Sequence, residues 1–285
     1  MILVTGATGN VGGDVLRGLL ELGMSARAAV TNPDRAAATL PAGSSLARFD
    51  FSDSSTFTAA LEGVNRVFLM RPPAMGDPKA FLPFLQAIKS IGVEQVVFLS
   101  LLGAQSNPVV PHRKIELEIE KLEIPHVFLR PSFFLQNLST THLTDILERD
   151  DLYVPAGRGK TSFIDARDIA AVAVRVLSVP HIVNGGIDLT GAEALSYAEV
   201  AAIFSEVLGR KISYSDPLPP KFGLEMQRRG IKPEFVNVMI LIYNTCRLGF
   251  AARVTGEVKR ILSRKPIGVQ EFVQDFKQLF TRGDS

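Results

Sequence analysis

Cysteine is nearly absent from this chain of 285 residues: Cys246 stands alone, so no intrachain disulfide can form and nothing points to an oxidising compartment. Cys246 also lies in an apolar run, where a thiol is expected to be buried and structural rather than nucleophilic. Net charge is scarce as well. A formal balance of +2 is too small for a surface built to hold nucleic acid, and the basic pairs Lys259-Arg260 and Arg264-Lys265 read as solvated helix faces. Long apolar stretches are missing too. The strongest, Val236 to Tyr243, is far shorter than the ~20 residues that a bilayer span requires. With a strand expected from Ile2, no leader peptide is expected, and the reading is a cytoplasmic protein that engages neither nucleic acid nor membrane.

What is present is a globular composition, 46% hydrophobic and 21% charged, sufficient for one large domain or a domain with a smaller annex. Ile2 to Thr5, Ala26 to Val30, Leu46 to Phe49, Arg66 to Met70, Gln95 to Ser100 and His126 to Arg130 read as short buried strands. Between them lie helical patterns at Asn10–Leu22, Ser54–Leu61, Lys79–Ile91 and Pro111–Leu122. That alternation predicts an α/β fold, a Rossmann-type doubly wound parallel sheet over residues 1–131. Beyond Pro131 helices dominate, at Phe133–Glu148, Ala166–Leu177, Tyr197–Leu208, Pro233–Phe250 and Val269–Phe280. Residues 132–285 are therefore expected to form a small, mostly helical substrate lobe that does not fold alone, with the segment around 161–190 returning to the sheet. The apolar run 236–243 is expected as a buried helix, with an apolar lid or a homodimer surface as the other readings.

The strongest local signal is Gly6-Ala7-Thr8-Gly9-Asn10-Val11-Gly12, between the first strand and the first helix. Gly6 permits a sharp turn, Gly9 lets backbone approach a pyrophosphate, and Gly12 lets the helix pack close to the strand. The helix start then aims N–H groups and its positive dipole end at the phosphates. NAD(P) is the cofactor this loop predicts, held by Gly6, Thr8, Gly9, Asn10, Val11 and Gly12. The second strand should sort NAD from NADP. Its tip, Val30-Thr31-Asn32-Pro33-Asp34-Arg35, has no early carboxylate for a free 2′-hydroxyl; Arg35, with Thr31 and Asn32 as neutral donors, fits a 2′-phosphate and NADP, and fits equally a solvated helix turn. Asp50-Phe51 after the third strand is placed either to meet adenine or to cap a turn. Gly157-Arg158-Gly159-Lys160-Thr161 imitates the end of a phosphate-binding P-loop, but Val154 occupies the position where that motif needs its first glycine.

A hydride-transfer enzyme must also hold charge or a proton near its acceptor. The Tyr-x-x-x-Lys pair of conventional short-chain dehydrogenases is absent, since none of Tyr153, Tyr197, Tyr214 and Tyr243 is followed by lysine four residues on. Its replacement is sought in Pro111-His112-Arg113-Lys114. At ~100° per residue, His112 and Lys114 flank the stripe of Ile115, Ile119 and Leu122. Lys114 would bond the ribose and hold positive charge; His112 would donate a proton near neutral pH. Ser100 ends the fifth strand, where an active-site serine belongs, or it bonds a local backbone group. Phe133, Phe134 and Asn137 either wall the nicotinamide and substrate pocket or belong to the core. No metal site is expected.

Thr5-Gly6-Ala7-Thr8-Gly9, Phe98-Leu99-Ser100, Lys114-Ile115-Glu116, Leu129-Arg130-Pro131-Ser132-Phe133-Phe134 and Phe163-Ile164-Asp165-Ala166-Arg167-Asp168 together resemble the NmrA-like atypical short-chain dehydrogenase/reductases, from Met1 to about Gly209. The C-terminal helices look most like bacterial relatives of ergot-alkaloid-type reductases. The resemblance implies NAD(P) binding, a Rossmann domain with a small lobe, and reduction of a small-molecule quinone, imine or activated double bond. It also implies a catalytic role for the lysine at Lys114. Relatives often carry arginine where this chain has Thr31, which leaves NAD in contention. Two other readings stand beside the reductase: a non-catalytic redox sensor acting on a regulatory protein partner, and an epimerase or dehydratase using the cofactor transiently.

Overall fold

A computed structural model describes residues 1–72, 75–179 and 184–282. In chain order its elements begin β1 (Ile2–Thr5), α1 (Asn10–Glu21), β2 (Ala26–Val30), α2 (Pro33–Ala37), β3 (Ser45–Arg48), α3 (Phe57–Leu61), β4 (Arg66–Met70), α4 (Leu82–Ser90), β5 (Gln95–Leu99), α5 (Pro111–Lys121) and β6 (His126–Pro131). They continue β7 (Phe133–Phe134), α6 (Leu143–Arg149), β8 (Asp151–Tyr153), β9 (Lys160–Thr161), β10 (Phe163–Ile164), α7 (Ala166–Ser178), β11 (Gly185–Leu189), β12 (Leu195–Ser196) and α8 (Tyr197–Leu208). The last are β13 (Ser213–Ser215), α9 (Pro219–Arg228), α10 (Pro233–Arg247), α11 (Glu257–Leu262) and α12 (Val269–Asp275).

The chain divides into two compact units. The first comprises residues 1–131, 166–189 and 260–263, and the second residues 132–165, 190–259 and 264–285. The first unit carries a seven-stranded sheet in the order β11-β6-β5-β4-β1-β2-β3, and every pairing in it is parallel. The fold is α/β and Rossmann-like. Its strands are short runs of Val, Leu, Ile and Phe because helices cover both faces. On one face α1 lies on α7, and Gly18 permits this: a methyl group there would stand 3.0 Å from Val174 Cγ2. On the other, Phe49, Phe51, Phe57 and Phe84 pack edge-on and tilted with ring centroids 4.7–5.6 Å apart.

The strand order reverses at β1. Its two neighbours are β2 and β4, so the chain leaves β1 in one direction and returns on the other side. The carboxyl ends of β1 and β4 therefore bound a crevice, the place where doubly wound sheets bind ligands.

The second unit differs from its expected layout in two places. The long helix anticipated over Phe133–Glu148 is broken, because Phe133 and Phe134 pair with Phe163 and Ile164 as a small parallel ladder, and helix resumes only at Leu143. The run 236–243 is helical but only part of it is buried: Val236 and Tyr243 are covered, whereas Val238, Leu241 and Ile242 are exposed. One face of α10 packs on α9, where Gly223 leaves room for Val236 and Ile240; the other has no covering neighbour among the described residues. Among the described residues no helix is long and apolar enough to cross a membrane.

Candidate functional site

The glycine loop closes the crevice beside β1. Thr5 pins β1 to β4: its hydroxyl donates to the Phe68 carbonyl at 3.1 Å and accepts from the Met70 N–H at 2.8 Å. The chain then turns at Gly6, whose φ of +65° lies in the left-handed region that side chains with a Cβ avoid. The Gly9 N–H donates to the Gly6 carbonyl at 2.9 Å, and the Gly13 N–H makes the first helical bond, to Gly9, at 2.8 Å. The N–H groups of Asn10, Val11 and Gly12 precede that bond, so they have no partner within the helix. No side chain caps α1 at Gly9, and its first turn holds no acidic residue. Thr8, Gly9 and Asn10 are exposed.

An uncapped twelve-residue helix with bare backbone at its start favours an anion. A dinucleotide pyrophosphate fits these residues. A methyl group on Gly9 would stand 3.3 Å from the Gly6 carbonyl oxygen, and the tightest backbone approach in the loop is made at Gly12, where a methyl group would stand 2.2 Å from that same oxygen. Met70, at the end of β4, completes the floor, its terminal methyl lying against Gly6.

At the tip of β2, Thr31, Asn32 and Arg35 are all exposed. Asn32 caps α2 by accepting the Arg35 N–H on Oδ1 at 3.0 Å, which seats the Arg35 backbone at the first turn. Asp50 takes its turn-closing role, with Oδ1 accepting from the Ser52 N–H at 2.8 Å. The Phe51 ring belongs to the aromatic core, leaving backbone as its means of meeting a ligand.

The carboxyl ends of β5 and β6 hold a charged cluster that sequence reasoning missed. Glu116, on α5 and fully buried, accepts the Ser100 hydroxyl at 2.7 Å, Arg113 Nη1 at 3.0 Å, and Arg130 through Nε and Nη2, both at 2.9 Å. Burial acts to raise its pKa, but the bonds from Arg130, Ser100 and Arg113 prevail and hold the carboxyl below its ordinary range. Gly186 on β11 makes room for Arg130, since a methyl group there would meet the guanidinium at 2.2 Å. The Ser100 proton is thus directed at Glu116 and not at a local backbone group. The spacing of Arg113 and Glu116 was visible in the sequence, whereas Arg130 arrives from a strand and no periodicity announces it.

His112 lies one turn before Glu116, its ring 6.2 Å from that of Phe98. Burial, with the Arg71 charge beside it, lowers its pKa to about 4 against the opposing pull of Glu116. The anticipated proton donor near neutral pH is therefore a neutral imidazole. Its Nδ1 is buried and has no hydrogen-bond partner among the described residues. Arg71 directly follows β4, donating to the Pro72 and Met75 carbonyls at 3.3 and 2.5 Å; it too escaped the sequence reading. Lys114 stands exposed on the same first turn of α5.

The sequence of residues 1–239 matches the model of the NmrA-like family. The chain belongs to the NmrA-like family. It is 34% identical over 279 residues to "Uncharacterized oxidoreductase YesF" of Bacillus subtilis (strain 168), covering 95% of this chain and 93% of that protein. It is 32% identical over 278 residues to the "NAD(P)H azoreductase" of Xenophilus azovorans, covering 96% and 97%. Among solved structures, the NADPH complex of quinone oxidoreductase QOR2 from Escherichia coli superposes with a TM-score of 0.89 at 23% identity, covering 97% and 100%. That last likeness is one of fold.

The remaining predicted positions of this NmrA-like chain lie in its second unit. Phe133 packs on that unit's core, Phe134 is half-buried and Asn137 is exposed. Gly157 and Gly159 serve packing and not phosphate: the Gly157 N–H donates to Asp216 at 3.0 Å, and a methyl group on Gly159 would strike the Cys246 carbonyl of α10. Cys246 is buried, and burial raises its thiol pKa, which leaves it a poor nucleophile.

Proposed function

We propose that this chain transfers hydride from NADPH to a small apolar or aromatic acceptor in the cytoplasm: a quinone, an imine or an activated double bond. The observation that carries the reading is the uncapped start of α1 behind Gly6-Ala7-Thr8-Gly9, placed where the strand order reverses. The chain is an NAD(P)H-dependent oxidoreductase of the atypical short-chain type; its relatives' names support that class and leave the acceptor open.

When bound, the dinucleotide supplies the hydride. The backbone of Gly9, Asn10, Val11 and Gly12, with the Thr8 hydroxyl, would hold the pyrophosphate. Thr31, Asn32 and Arg35 would receive the 2′-phosphate, and the Asp50-Phe51 turn would meet the adenine. Lys114 would bond the ribose and keep positive charge where the acceptor oxygen becomes negative. His112, neutral at physiological pH, would offer ring nitrogens for hydrogen bonding and orient a bound group rather than protonate it. Ser100 would act through Glu116 as a positioning residue. Phe133, Phe134 and Asn137 are proposed to face the acceptor.

Stopped-flow absorbance of bound NADPH, mixed with a panel of quinones and imines, tests the reading. Oxidation that falls about a hundredfold in Lys114→Met, with NADPH affinity weakened by no more than about tenfold through the lost ribose bond, is the expected outcome. Oxidation no faster than in buffer would remove the enzyme reading and favour a sensor that binds the dinucleotide without turnover.

A further inference from the structure

Helix α10 carries large apolar side chains on its exposed face as well as its covered one, among the polar residues Glu234, Asn237, Asn244, Thr245 and Arg247. Its covered face consists of Val236, Ile240 and Tyr243, with Cys246 at the edge toward β9. At ~100° per residue, the opposite arc holds Phe235, Val238, Leu241, Ile242 and Leu248, and these are exposed by 52%, 52%, 65%, 41% and 69%. Phe250, 75% exposed, follows directly. Glu234, Asn237 and Thr245 stand in the same arc, and no lysine or arginine does. Nothing in it answers an anionic lipid surface or a nucleic acid.

We infer that this face of α10 is covered by the same face of a second copy of the chain, in a twofold-symmetric dimer. Together the six side chains present apolar area on the order of 600 Å², at the top of the range for a monomer's largest patch and about three quarters of the ~800 Å² that each partner contributes to a standard interface. The stripe runs the length of a fifteen-residue helix, about 20 Å, longer than a single aromatic acceptor can cover. Twofold symmetry requires a patch that is its own complement, and a straight apolar stripe meets this by lying antiparallel to its copy. That pairing also sets the positive end of one helix dipole beside the negative end of the other. The inference stands apart from the hydride chemistry, because it uses none of the residues assigned to NADPH.

Sedimentation velocity of the full chain at micromolar concentration is expected to give a dimer, and Leu241→Asp a monomer that keeps the wild-type circular dichroism spectrum and melts at a temperature independent of its concentration. Cysteines introduced singly as Val238→Cys and Leu241→Cys would be the reactive thiols, because Cys246 is buried. At least one should give a covalent dimer on mild oxidation, whereas Leu22→Cys, exposed in the first unit, should not. A monomeric wild type overturns the inference, as does a dimer that survives Leu241→Asp, or failure of both thiols to cross-link. A monomer in which Leu241→Asp raises KM for the acceptor would overturn it in favour of a substrate wall.

Discussion

A methyl group added at Gly12 would meet the Gly6 carbonyl oxygen at 2.2 Å and the Thr5 carbonyl oxygen at 2.9 Å, both of them backbone that cannot swing aside. Gly12→Ala is therefore expected to destabilise the first unit by about 1–3 kcal/mol and to weaken NADPH binding at least about tenfold, seen by thermal unfolding and calorimetric titration. Gly6→Ala meets only the flexible end of Met70 but must also hold a positive φ. Two histidines, one half-buried and one buried, give a pH signature. Burial lowers His112 and His142 from 6.5 to about 4, in His142 with Asp145 opposing and Arg229 assisting. The folded state then binds fewer protons than the unfolded state between those values. The stabilisation is complete above pH 6.5 and is lost as pH falls toward 4. Denaturant midpoints measured across that window should fall for the wild type and fall less steeply for His142→Gln, whose native ring bonds Tyr243 at 2.8 Å.

At the scale of the element, α5 is tied to the strand ends by one carboxylate. Glu116 joins β5 through Ser100 and β6 through Arg130, so the turn bearing His112 and Lys114 cannot drift from the sheet edge. Removing a single partner from a buried ion pair leaves an uncompensated charge. Glu116→Gln should cost about 3–5 kcal/mol by this argument, whereas Ser100→Ala, which leaves both arginines in place, should cost about 1.5–3 kcal/mol as a bond to a charged group. Chemical denaturation separates the two, and NADPH affinity is expected to change little in Ser100→Ala. Helix α2 offers a test of cofactor choice: Arg35→Ala should weaken NADPH about tenfold and leave NADH unchanged, read by calorimetric titration with both.

At the scale of the whole molecule, ligand binding and stability are one measurement. A dinucleotide that binds only the folded chain adds about 2.7 kcal/mol at a hundredfold excess over its Kd, so the melting temperature should climb with NADPH concentration and climb less in Gly12→Ala. The sheet was legible because each strand is a short apolar run punctuated by glycine or proline, and each helix between them keeps its period. The seventh strand was less so: Gly185-Gly186 has little apolar signal, and it is seated by pairing with β6 and by the Arg130 side chain lying over it.

The sequence alone determined the βα alternation, the glycine loop and membership of the NmrA-like family, because all three are written in residues close together along the chain. Tertiary structure decided what His112, Ser100 and α10 are. The first is held neutral by burial and by the Arg71 charge, and the second is engaged because Glu116, itself held by Arg130 from another element, accepts its proton. Half of α10 is bare because burial depends on which neighbours arrive, and hydrophobicity in a sequence says only that a residue favours cover.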